Sequence, residues 1–94
     1  MHTALKNTCA LVTGASRGVG RAIAIALASN GALVVASARS AEGLARTVEL
    51  IEESGGRGVP ISADLADDSA IVDLIARARD RFGRLDILVN NAGV

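Results

Sequence analysis

The stretch Thr13-Gly14-Ala15-Ser16-Arg17-Gly18-Val19-Gly20 constrains this chain more than any other. It lies between the apolar run Thr8-Cys9-Ala10-Leu11-Val12 and the helix-prone Arg21-Ala22-Ile23-Ala24-Ile25-Ala26-Leu27-Ala28, so three glycines sit where a strand turns into a helix. Glycine accepts positive φ and leaves no Cβ between backbone and ligand, while the first amides of a helix point outward along the positive end of its dipole. A phosphate fits such a turn, which we read as a dinucleotide pyrophosphate cradle.

The rest of the chain repeats the strand-then-helix theme. The first helix is expected over Gly18–Ser29, with Val19, Ile23 and Leu27 on its apolar face and Asn30-Gly31 as its stop. Ala32-Leu33-Val34-Val35-Ala36-Ser37 is too short for a helix and suits a central strand. A second helix is expected over Ala41–Glu53, capped by Ser40, closed by Gly55-Gly56, and carrying Leu44, Val48 and Ile51 on one side. Arg57-Gly58-Val59-Pro60-Ile61-Ser62 is a third strand, placed at an edge by its proline. Asp67-Asp68-Ser69 starts a third helix with Ile71, Leu74, Ile75, Ala78 and Phe82 as its stripe and Gly83 as its stop. Leu85-Asp86-Ile87-Leu88-Val89 is a fourth strand, and Asn90-Asn91-Ala92-Gly93 turns out of it.

This alternation predicts right-handed parallel crossovers and an α/β, Rossmann-type parallel sheet with helices on both faces, four strands in the order 3-2-1-4. The 94 residues amount to one domain at most. Half of them are hydrophobic but only 1% are aromatic, so the core must come from Val, Ile, Leu and Ala, as in strands buried on both faces.

Charge narrows the partners. Ten Lys and Arg balance ten Asp and Glu, leaving no global field to recruit nucleic acid or an anionic membrane. The interleaved arginines of the third helix have no aromatic stacking residues beside them and read as a solvated face. The single cysteine, Cys9, cannot form an internal disulfide and reads as a packing residue in a reducing compartment. With no signal peptide and no apolar run long enough to span a bilayer, the cytoplasm is the expected location. His2, the one histidine, lacks companions for a metal site and reads as part of a frayed terminus.

In an open parallel sheet a ligand binds outside the carboxyl ends of the strands where their order reverses, here between strands one and four. Four segments are expected to meet there: the turn 14–20, Ala38-Arg39, Asp64-Leu65 and residues 90–93. Each alone has a plain structural explanation; their shared position at consecutive strand ends favours a site. The glycine spacing is neither G-x-G-x-x-G, since Ile23 stands where its last Gly or Ala belongs, nor a P-loop, which needs Gly-Lys-Ser/Thr.

The pattern present is T-G-x-x-x-G-x-G. Together with Asp86-Ile87-Leu88-Val89-Asn90-Asn91-Ala92-Gly93, it resembles the amino-terminal half of the short-chain dehydrogenase/reductases, over residues 5–94. The resemblance implies that Gly14, Ser16, Arg17, Gly18 and Val19 contact cofactor phosphates and ribose, and that Gly20 permits close helix packing. It further implies that Asp64 holds the adenine amino group beside Leu65, and that Asn90, Asn91, Ala92 and Gly93 line the adenosine pocket. NAD-dependent members carry a carboxylate after the second strand, whereas this chain has Ala38 followed by Arg39. Arg17 and Arg39 could clamp a 2′-phosphate, so NADP is expected over NAD, although arginine stacking on adenine would serve either cofactor.

The family's chemistry resides in a Tyr-x-x-x-Lys pair with a Ser and an Asn further along, and this chain has no tyrosine. The expectation is therefore a truncated reductase with no catalytic residue of its own, most like the 3-oxoacyl-[acyl-carrier-protein] reductase branch, whose full-length parent is a homo-oligomeric NADP-dependent oxidoreductase. A non-catalytic half-domain completed by a partner is one alternative. A Rossmann domain for a methyltransferase cofactor is another, disfavoured because that ligand has no phosphate to meet Arg17 and Arg39.

Overall fold

The computed structural model describes residues 4–91; His2, Ala92 and Gly93 lie outside them. In chain order the elements are β1 (Cys9–Thr13), α1 (Gly18–Ser29), β2 (Leu33–Ala38), α2 (Ala41–Glu53), β3 (Arg57–Ser62), α3 (Asp68–Phe82) and β4 (Ile87–Val89). The strands form one parallel sheet in the order β3-β2-β1-β4, the Rossmann-type arrangement that the alternation of elements predicts. Leu11 at the centre of β1 lies opposite Val35 of β2 and Leu88 of β4. Pro60 lies on the edge strand β3, where its missing N–H interrupts no second ladder.

Alternation along the strands builds two apolar layers. Ala10, Val12, Val34 and Ala36 join Ala24 and Ala28 of α1 and Leu44 and Ile51 of α2 in one layer. Cys9, Leu11, Val35 and Ile61 join Leu74 and Ala78 of α3 in the other. Two helices therefore cover one face and one covers the opposite face. All five residues of β1 are buried, which is why that segment carries no charged side chain.

The face of α1 differs from expectation. Val19 is 68% exposed, Ile23 and Leu27 are half-buried, and the buried stripe is Gly20, Ala24 and Ala28. Small residues face the sheet because the helix lies too near it for larger ones. The helix is crowded from its other end as well: a Cβ added to Gly56 would come within 2.8 Å of the Ala28 Cβ. On α2, Leu44 and Ile51 are buried as expected, but the third buried residue is Thr47, with Val48 half-buried. Ser40 caps α2 by accepting the Gly43 N–H, and Asp67 caps α3 by accepting that of Ala70, each at 3.0 Å.

Strand boundaries shift slightly. β1 and β2 each begin and end one residue later than the apolar runs suggest, and β4 begins at Ile87, not Leu85. Asp86 explains the last difference. Its carboxylate accepts the Cys9 N–H at 2.8 Å and its own N–H donates to the Cys9 carbonyl at 2.9 Å, so a side chain replaces the first rung of the ladder. The Arg84 guanidinium forks onto the same carboxylate at 2.7 and 2.8 Å. Cys9 itself is buried, and burial, reinforced by the Asp86 charge, pushes its thiol pKa up, consistent with a packing role.

The bonds from Arg84 and then from the Cys9 amide hold the Asp86 carboxyl below its ordinary pKa. A carboxyl whose folded pKa lies below its unfolded one stabilises the fold above the unfolded value and loses that contribution as pH falls through the folded value. Acid unfolding should thus steepen below about pH 4, and Asp86→Asn should make that limb shallower. Asp67, lowered by bonds from Ser69 and Ala70, will leave part of the acid dependence in place. Superimposable acid limbs for the two chains in circular dichroism would contradict the assignment.

Candidate functional site

Two open clefts lie at opposite ends of the sheet. One, of about 820 Å³, is bordered at the amino ends of the strands by Cys9, Leu33 and Arg57. The other, of about 1100 Å³, opens at the carboxyl ends and holds the glycine-rich turn. Cations border both clefts, but among the described residues it is the second that joins the start of a helix, Arg17 and Arg39 to the loops that follow the strands, where the strand order reverses.

The turn supplies Gly14, Ser16, Arg17, Gly18 and Val19 to this cleft. Gly14 and Gly18 have φ of +62° and +57°, the left-handed region that a side chain disfavours, and so the chain reverses sharply between β1 and α1. Arg17 precedes α1 in extended conformation and no side chain caps the helix, nor is there an acid in its first turn. The first amides of α1 are thereby left for an external acceptor.

Gly20 does not line the cleft. It is buried beneath, where an added Cβ would fall 2.0 Å from the Gly14 carbonyl oxygen and 2.7 Å from Asn91 Nδ2. The Ala15 N–H donates to the Ser37 carbonyl at 3.0 Å, tying the turn to β2. Thr13, the last residue of β1, ties it to β4: its hydroxyl donates to Asn90 Oδ1 at 3.0 Å and accepts the Asn91 N–H at 2.9 Å. Asn91 Nδ2 in turn donates to the Gly14 carbonyl at 3.3 Å.

The other expected segments also arrive. Arg39 enters from the corner between β2 and α2, Asp64 and Leu65 from the connection after β3, and Asn91 from the end of β4. Asn90 stands beside the cleft as the partner of Thr13. Arg17 and Arg39 are exposed, and neither has a carboxylate at ion-pair distance among the described residues. Ala92 and Gly93 fall outside the described residues, and among those described no group of three or more His, Cys, Asp or Glu could hold a metal.

Two residues that sequence reasoning passed over organise the site from behind. Arg21 Nε donates to the Thr47 hydroxyl at 2.9 Å, and one terminal nitrogen of Arg21 donates to the Ser16 carbonyl at 2.5 Å and the Gly43 carbonyl at 3.1 Å. The Thr47 hydroxyl donates to the Ala15 carbonyl at 2.6 Å. One signal was available: a buried hydroxyl between Leu44 and Ile51, on an otherwise apolar helix face, needs a partner.

The arrangement can hold an anionic ligand with helix amides and two guanidinium groups, beside a strand-end carboxylate suited to accept hydrogen bonds. It contains no tyrosine to exchange a proton with a substrate oxygen.

Comparison with known proteins agrees with this geometry. The family model described as short chain dehydrogenase matches residues 8–94. A 3beta-hydroxysteroid dehydrogenase from Mediterraneibacter gnavus is 45% identical over 84 residues, covering 89% of this chain and 30% of that protein. A 3-oxoacyl-[acyl-carrier-protein] reductase from Synechocystis is 44% identical over 93 residues, covering 98% of this chain and 38% of that protein. The crystal structure of a metagenomic short-chain oxidoreductase in complex with NADP superposes with a TM-score of 0.89 at 44% identity, covering 96% of this chain and 41% of that one. The chain thus spans about a third of the length of the curated relatives it matches.

Proposed function

Because this chain belongs to the short-chain dehydrogenases, we propose that it is the NADP-binding part of an oxidoreductase that transfers hydride between NADP(H) and a carbonyl or alcohol. The observation that carries the reading is the convergence of four strand-end segments on one cleft that holds uncapped helix amides and two arginines without acidic partners among the described residues.

In this reading Gly14, Ser16, Arg17, Gly18 and Val19 receive the pyrophosphate and adjoining ribose, while Gly20 lets α1 approach. Asp64 accepts from the adenine amino group with Leu65 against the ring. Asn90 and Asn91, with Ala92 and Gly93, border the adenosine. A bound nicotinamide dinucleotide would supply the hydride chemistry; the residues of this chain bind and orient its adenosine end. The cytoplasm is the compartment proposed, in keeping with one buried, unpaired cysteine.

The preference for NADP over NAD rests on charge. A carboxylate after β2 would accept from the ribose diol and repel a 2′-phosphate, whereas Ala38 and Arg39 occupy that corner. Arg17 faces the same cleft from the turn, and two guanidinium groups can take a phosphate with charge-assisted bonds. The similar metagenomic oxidoreductase, solved with NADP, supports the same choice. The two relatives described above bear names for unlike substrates, a steroid and an acyl chain, and so fit a segment that carries cofactor binding and not substrate choice.

Calorimetric titration of the chain with 2′,5′-ADP and with 5′-AMP tests the preference. The 2′-phosphate should tighten binding at least about tenfold, equivalent to ~1.4 kcal/mol, and more so at low ionic strength. Equal affinities would sink the NADP assignment.

A second reading, a nucleotide-binding half-domain completed by a partner, is favoured by β4. That strand has only three residues, pairs on one side with β1, and exposes 45% of Leu88. A partner strand or a further segment of a longer chain would satisfy that edge.

A further inference from the structure

We propose that Arg21 is a positioning residue that fixes the separation between the two arginine-bearing walls of the cleft, and through it the discrimination for a 2′-phosphate; this rests on the reading that Arg17 and Arg39 bind that group. One wall is the glycine-rich turn, with Ser16 immediately before Arg17. The other is the corner where Arg39 and Ser40 lead into α2. The Arg21 guanidinium binds a carbonyl on each wall through a single nitrogen, Ser16 at 2.5 Å and Gly43 at 3.1 Å, and both of those residues line the cleft.

The bridge is closed on its far side. Arg21 Nε donates to Thr47, whose hydroxyl donates to the Ala15 carbonyl one residue before Ser16. Gly43, whose carbonyl Arg21 holds, is also the residue whose N–H is capped by Ser40, next to Arg39. Each anchor is thus within one residue or one hydrogen bond of a residue adjoining one of the cleft arginines. The walls touch at this point, since an added Cβ on Gly43 would lie 2.7 Å from the Ser16 Cβ.

An arginine on a helix surface ordinarily faces water or a carboxylate. Arg21 is half-buried, and among the described residues its partners are two carbonyls and a hydroxyl, with no carboxylate at ion-pair distance. A planar fork with fixed donor directions can span three such acceptors, whereas an ammonium group presents its protons from one point. With the walls held at one separation, both cleft guanidinium groups can meet a single phosphate together. With the clip open, the phosphate meets them one at a time and loses the advantage of a preformed pair.

The test measures a ratio that a merely structural role leaves alone. The unaltered chain, Arg21→Gln, Arg21→Lys and Thr47→Val are titrated with 2′,5′-ADP and 5′-AMP, with circular dichroism establishing that each is folded. In Arg21→Gln the Kd for 2′,5′-ADP should rise about tenfold and that for 5′-AMP less than about twofold, collapsing the preference. Thr47→Val should lose about threefold of it. Arg21→Lys, which keeps the charge, should resemble Arg21→Gln; restoration of the full preference by lysine would show that charge and not position matters, overturning the proposal. If Arg21→Gln does not fold, Arg21→Lys and Thr47→Val decide in the same terms. A preference present in the unaltered chain and retained in Arg21→Gln overturns the clip alone. Absence of any preference in the unaltered chain overturns the reading on which it rests, and the clip with it.

Discussion

Gly20→Ala is expected to lower the stability of the chain by about 3 kcal/mol, to move its melting midpoint down by roughly 15 °C, and to weaken 2′,5′-ADP binding by more than about tenfold. The added Cβ would sit 2.0 Å from the Gly14 carbonyl oxygen, a distance that no rotamer change relieves because the obstructing atom is backbone. Either the Gly14 peptide must turn or the start of α1 must back away, and both disturb the amides that face the cleft. The same methyl group also meets Asn91 Nδ2, so the bond from Asn91 to the Gly14 carbonyl is lost with the packing. Gly18→Ala provides the contrast. Nothing lies within 4 Å of its added Cβ, and the cost is the left-handed backbone alone, about 1 kcal/mol. A Gly20→Ala chain that melts within a few degrees of the unaltered one would remove the close approach from any account of the site.

Arg39→Asp carries the largest expected change in specificity. It removes a guanidinium from the cleft and places there the carboxylate that the corner after β2 otherwise lacks. A charge-assisted bond to phosphate contributes about 1.5–3 kcal/mol, and a like charge at the same position adds repulsion, so the affinity ratio of 2′,5′-ADP to 5′-AMP should fall about a hundredfold. The carboxylate can also accept from the ribose hydroxyls, so 5′-AMP should bind no more weakly than before. Arg39 makes no ion pair among the described residues and is exposed, so the melting temperature should hardly change. A preserved ratio in a folded Arg39→Asp chain would sink the two-arginine clamp.

Much of this fold could be read from punctuation. Ser40 and Asp67 cap helices in the structure as their side-chain chemistry suggests, and Pro60 marks the edge strand. The cleft was legible because its members all follow strands, and the direction of a parallel sheet brings such residues to one end. The buried face of α1 was not. Hydrophobic periodicity gives weight to Val19, Ile23 and Leu27, whereas close approach selects the residues with least volume, Gly20, Ala24 and Ala28. Arg21 and Thr47 escaped for another reason. They are 26 residues apart, and no local pattern shows that a helix cation and a buried hydroxyl will share a network. The early end of the β4 ladder was hidden similarly, because it depends on a side chain reaching an amide 77 positions away.

The two glycine contacts on α1 have a joint consequence. At its start Gly20 leaves no room for a side chain against the Gly14 carbonyl, and at its end no Cβ fits between Gly56 and Ala28, so α1 is closely packed at both ends. Close packing of this kind resists displacement of the helix and of the turn joined to it. Its amides keep their aim before any ligand arrives, and the entropy of ordering them belongs to folding rather than to binding. If the turn holds the proposed cofactor, selectivity comes from rejection: a ligand must match a spacing that folding has already set.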